Sequence, residues 1–204
     1  MTHAINRRRL LTGAGTGAAA LAFGAFWRPA ELSAERGSRP LQASYLTIDV
    51  ACIGPTFAPV MDGALDAEGG DLRGVSFSVE GHIYPGGTLP TGEEIDIDAH
   101  EDEIVGLWLC RGWLMVHPGR LEPAGVTHQD YMLGEVSTEH PSPADQLTSS
   151  GVEGGVETVR TVTGGTGRYR RRRGEVIQDV LGTNSTILNV LDMPAPNFRF
   201  HFFN

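Results

Sequence analysis

The sequence predicts an all-β fold, an antiparallel barrel or sandwich, and three observations lead there. From Tyr45 onward apolar and polar residues alternate with a period of two. No stretch of that region carries a helical stripe, and clusters of proline and glycine break the alternation into short runs. Short strands joined without helices bury their apolar faces only by closing on one another or by packing as two sheets.

The chain before Tyr45 has a different character. Asn6-Arg7-Arg8-Arg9-Leu10-Leu11 matches the twin-arginine export pattern, and the weakly apolar run from Leu10 to Phe26 is 17 residues long and diluted by four glycines. That run is at the short limit for a membrane-spanning helix and suits a signal segment ending at Trp27-Arg28-Pro29. Leu32-Ser33-Ala34 offers small residues for cleavage after Ala34. Residues 1–34 are therefore expected to be a twin-arginine signal peptide, 35–44 a linker and 45–204 the β-domain. The expected address is periplasmic or extracellular, with the twin-arginine export machinery as a partner.

Along the domain, Leu46, Ile48 and Val50 alternate with Thr47, Asp49 and Ala51, and Val75, Phe77 and Val79 with Ser76, Ser78 and Glu80. The run from Ile104 to Val116 is apolar on both faces, as in a strand covered on each side. Further strands are expected at 126–136, 156–162, 174–181, 186–193 and 198–203, with a weak one near 146–150. Tyr84-Pro85-Gly86-Gly87, His117-Pro118-Gly119 and Met193-Pro194-Ala195-Pro196-Asn197 read as turns, because proline presets φ and glycine supplies positive φ. Segments 54–73, 86–103 and 137–146 read as long loops.

Residues 35–204 hold 12 Arg, no Lys and 24 Asp plus Glu, a net charge of −12. A surface so acidic repels phosphate backbones, which excludes nucleic acid as an expected partner. The two cysteines, Cys52 and Cys110, are either a disulfide, as an oxidising destination permits, or two buried thiols.

Val162-Thr163-Gly164-Gly165-Thr166-Gly167-Arg168-Tyr169, followed by Arg173-Gly174-Glu175-Val176, resembles the C-terminal third of the allene oxide cyclase and dirigent barrel families. Phe198-Arg199-Phe200-His201-Phe202-Phe203 resembles their closing strand, and Ile104 to Cys110 a middle strand. Asp49 sits where their first strand has an acidic residue, although Ala51 stands where the cyclases carry an amide. The resemblance implies an eight-stranded antiparallel β-barrel, often trimeric, with a mostly apolar cavity. It also implies cyclisation, isomerisation or directed coupling of a hydrophobic small molecule, without a cofactor or metal.

Read for chemistry, Asp49 is the leading acid–base candidate, as a carboxylate set into an apolar barrel wall. Arg111 and Tyr131 are the expected orienting groups, and Trp108, Cys110, Trp113, His128 and Tyr169 the expected substrate contacts. Arg111 lies on an apolar strand where a guanidinium needs a partner, for which Asp49 and Glu80 are available. Tyr169 is expected to tuck under the glycine turn and plug one barrel end. That turn lacks the Gly-Lys-Ser/Thr of a phosphate loop. His128 and Asp130 share a strand face, but no His/Cys spacing matches a metal motif. The arginine run 170–173 reads as a solvated charge-balancing loop or as a gate for anions.

Overall fold

The computed structural model describes residues 43–56, 58–59, 74–92, 94–115, 124–134, 145–153, 157–188 and 193–204. The signal segment 1–34, most of the linker, the His117-Pro118-Gly119 turn and most of the expected loops 54–73 and 137–146 lie outside the described residues.

Among the described residues ten strands form a single sheet: β1 (Leu46–Cys52), β2 (Ala58–Pro59), β3 (Ser76–Pro85), β4 (Glu94–Ile95), β5 (Gly106–Leu114), β6 (Gly125–Leu133), β7 (Asp145–Glu153), β8 (Glu157–Gly165), β9 (Gly174–Leu188) and β10 (Met193–Phe203). The order runs β1-β10-β9-β8-β7-β6-β5-β3, and β3 pairs back to β1, so eight antiparallel strands close into a barrel. Closure leaves no bare edge among the eight staves. The two-residue β2 extends β3 beyond the reach of β1, and β4 lies parallel to β9.

Three expectations about the strands are corrected. Segments 174–181 and 186–193 are not separate strands, since β9 runs unbroken through Gly182 and Thr183 to Leu188. The proline cluster 193–197 is not a turn but the opening of β10, with shifts of register after Pro194 and after Asn197. Such irregularities are where a strand tolerates residues without an N–H. The weak strand near 146–150 is a full stave, β7.

Alternation divides each stave into an inner and an outer face. Ile48, Val50, Phe77, Val79, Ile83, Trp108, Leu114, Tyr131, Leu147, Val162, Val176, Phe198, Phe200 and Phe202 form the interior cluster. A second, smaller cluster lies outside the barrel wall, where Ala51, Tyr84 and Leu181 are covered by Leu89, Ile95 and Ile97. The segment expected as a loop over 86–103 is thus a cover, containing β4 and a 3-10 helix over Ile97–Glu103 that is capped by the Asp96 carboxylate. On the outer face of β5 Trp113 is 55% exposed, so this strand is not wrapped on both sides along its whole length.

Candidate functional site

The inner face is not uniformly apolar. β1, β3 and β10 contribute aliphatic and phenylalanine side chains, whereas β6, β7, β8 and β9 contribute Gln129, Tyr131, Ser149, Glu153, Arg160 and Gln178, all buried. Arg160 has no exposed side-chain surface, and its Nη1 makes a buried ion pair with Glu153. Gln129 is the hub of the group. Its Oε1 accepts from Trp108 Nε1 at 3.0 Å, Tyr131 OH at 2.7 Å and Arg160 Nη2 at 2.7 Å, while its Nε2 donates to Glu153. Tyr131 OH also lies 3.1 Å from Ser149 Oγ.

The apolar wall meets this network through aromatic rings. Tyr131 makes edge-on contacts with Phe200 and Phe202, at centroid distances of 5.2 and 5.0 Å. The Arg160 guanidinium lies 5.5 Å from the Phe200 ring centre, a cation–π position. Trp108 packs 6.1 Å from Phe198 and 6.2 Å from Phe200 with its N–H turned to Gln129, so it joins the two walls.

Burial sets the electrostatics. Loss of water pushes the Glu153 carboxyl above its usual value, with the Arg160 charge pulling the other way. The same loss raises the Tyr131 hydroxyl to about 12, again against the pull of Arg160, so it stays a neutral donor and acceptor. Burial likewise keeps the Cys52 and Cys110 thiols protonated. Both are free, which decides against the disulfide. A carboxyl raised by burial and held beside a fixed cation can exchange a proton, and Gln129 can pass its orientation to Tyr131 and Trp108.

The residues expected from the sequence divide between two faces. Trp108, Cys110 and Tyr131 come together inside the barrel. Tyr169 is buried beside the glycine turn, against Gly165, and belongs to the interior cluster. Asp49 does not line the lumen. It lies on the outer face of β1, fully buried beneath the cover, and accepts from Arg199 Nε at 2.6 Å, Arg199 Nη2 at 2.9 Å and the N–H groups of Gly87 and Leu89, each at 2.9 Å. Four donors on one carboxylate make a clamp between β10 and the cover.

Arg111 also faces outward, and its partner is Asp130 at 3.4 Å rather than Asp49 or Glu80. His128 is on the same outer face, between Ser150 Oγ at 2.9 Å and Asp130 Oδ1 at 3.2 Å. This acid–histidine–hydroxyl row sits in mid-sheet, where neighbouring backbone groups are paired between strands and offer an oxyanion no convergent donors. Trp113 is outside as well. Among the described residues no group of three His, Cys, Asp or Glu side chains is placed to hold a metal ion.

Sequence reasoning missed Gln129, Ser149, Glu153, Arg160 and Gln178. The available signal was parity: Gln129 and Tyr131 are two apart, and on the neighbouring strands Glu153 and Arg160 fall on the same face as Ser149 and Val162.

No family model matches the chain, and no curated protein matches it in sequence. Among solved structures it is similar to a pyocyanin demethylase, at 15% identity and a TM-score of 0.45 over 76% of this chain and 96% of that one. It is also similar to two pterocarpan synthase dirigent proteins. GePTS1 is 14% identical with a TM-score of 0.49, covering 78% of this chain and 84% of that one. PsPTS1 is 13% identical with a TM-score of 0.48, covering 78% and 95%. The closed eight-stranded antiparallel barrel implied by the resemblance is the one observed, read from the strand pairings themselves.

Proposed function

We propose that this barrel, exported by the twin-arginine route, holds a hydrophobic small molecule against its aromatic wall and directs its cyclisation, isomerisation or coupling. The observation that carries the reading is the buried polar wall. Replacing a buried ion pair by well-packed apolar groups is often neutral or stabilising, so Arg160 and Glu153 are weakly explained by stability alone. In this reading Glu153 moves the proton, Arg160 and Gln129 orient a polar group of the ligand, and Trp108 with Phe198 and Phe200 holds its apolar part. The rate gain comes mainly from fixing one reactive conformation.

A second reading, a non-catalytic binding or interaction barrel, is favoured by the internal saturation of the network, in which Gln129 already uses both its amide groups. Native mass spectrometry of the purified protein separates the two when combined with a panel of polyunsaturated and phenolic substrates. Retained ligand together with altered product stereochemistry, abolished in Glu153→Gln, supports the first. Unchanged product across the panel, with or without a retained ligand, supports the second. The export part is tested separately by replacing Arg7 and Arg8 with Lys, which should stop transport.

A further inference from the structure

We propose that the arginine turn at the Tyr169 end of the barrel is a binding site for phosphate-bearing anions. Although residues 35–204 carry twice as many acids as arginines, five of the 12 arginines fall within positions 168–173. Elsewhere among the described residues each arginine has a carboxylate partner: Arg111 has Asp130, Arg160 has Glu153 and Arg199 has Asp49. On the turn only Arg168 is matched, by Asp145 at 2.7 Å, while Arg170, Arg171 and Arg173 form no ion pair among the described residues. Among the described residues of this acidic chain, the arginines left without an acid are thus gathered in one place.

The place is concave. Gly167, Arg168, Arg170, Arg171, Arg172 and Asn204 line a cleft of about 470 Å³. Its two sides are anchored: the Arg168 guanidinium stacks 5.2 Å from the Tyr169 ring centre, and that of Arg172 lies 4.4 Å from the Tyr45 ring centre while Nη1 donates to Asn204 Oδ1 at 3.0 Å. Stacking holds a guanidinium by its face and leaves N–H edges for a ligand. Between the anchored pair stand Arg170 and Arg171. A multiply charged oxyanion relieves the repulsion among these cations and matches their forked donors. The glycines shape the turn, and the arginine side chains supply the recognition, which is why no phosphate-loop motif is needed.

Free phosphate compounds and phospholipid headgroups present the same chemistry, and the experiment has an arm for each. The purified protein is titrated calorimetrically with inorganic pyrophosphate at low salt, and co-sedimented with phosphatidylcholine vesicles with and without phosphatidylglycerol. The expected result is salt-sensitive pyrophosphate binding that falls by about tenfold or more in Arg170→Gln/Arg171→Gln, with the fold intact by circular dichroism. Binding only to the anionic vesicles, lost in the same variant, places the phosphate on a lipid. Binding to neither probe, or equal binding by the variant, overturns the proposal.

Discussion

Glu153 and Arg160 invert the polarity of their strands. Their neighbours Val152 and Val159 are exposed, Val152 by 55%, while the charged pair points inward. Removing one partner leaves the other buried and unpaired, so Glu153→Ala should cost about 3–5 kcal/mol in urea unfolding, whereas Glu153→Leu with Arg160→Met should recover most of that loss. The pair also carries a pH signature. A carboxyl raised on folding binds its proton more tightly in the folded state, so its stabilising contribution is complete below the unfolded value and declines as pH rises through the folded one. Stability of the wild type relative to Glu153→Gln should therefore decline from pH 4.5 upward. A relative stability that climbs with pH would contradict the raised carboxyl. This inversion also explains what the sequence hid. Period-two alternation marks a strand in 156–162, but its valines fall at both parities, Val159 at one and Val162 at the other beside Arg160, so the pattern does not say which face is inside. For Asp49 the type and position are legible while the face is not, because Ala51 beside it is buried under the cover rather than in the lumen.

At the scale of elements, the cover over 86–104 and strand β10 are joined through one side chain. Asp49→Ala would strand the Arg199 guanidinium and release the Gly87 and Leu89 N–H groups together. The expected cost is about 3 kcal/mol, and amide exchange at Gly87 and Leu89 should accelerate more than in β5 or β6. Gly174 is a second such joint. It has φ +115°, and an added Cβ would approach Phe203 O to 2.1 Å, so Gly174→Ala should destabilise by about 1–3 kcal/mol. The glycine turn and the start of β9 are legible because glycine there answers a backbone need. Merging two expected strands into β9, and recruiting Pro194 and Pro196 into β10, is not legible, since both depend on register shifts set by the partner strand. The cover has apolar residues at Leu89, Ile95 and Ile97, yet nothing local says which surface they meet.

For the whole molecule, closure puts both cysteines inside the wall, on strands separated by β3. Thiol titration without reductant should find no reactive thiol in the folded protein and two per chain in denaturant, exposed together at the rate of global unfolding. One reactive thiol in the native state, or none after denaturation, would contradict this placement. β1 is held on one side by β3 and on the other by β10, whose Phe198, Phe200 and Phe202 supply much of the aromatic interior. On the ribosome, these last staves are made long after the first. Until residues 193–203 leave the exit tunnel, the growing chain has a sheet with two raw margins and a half-empty centre, so a translation product stopped before Met193 is fated for proteolysis or aggregation rather than for a smaller stable fold.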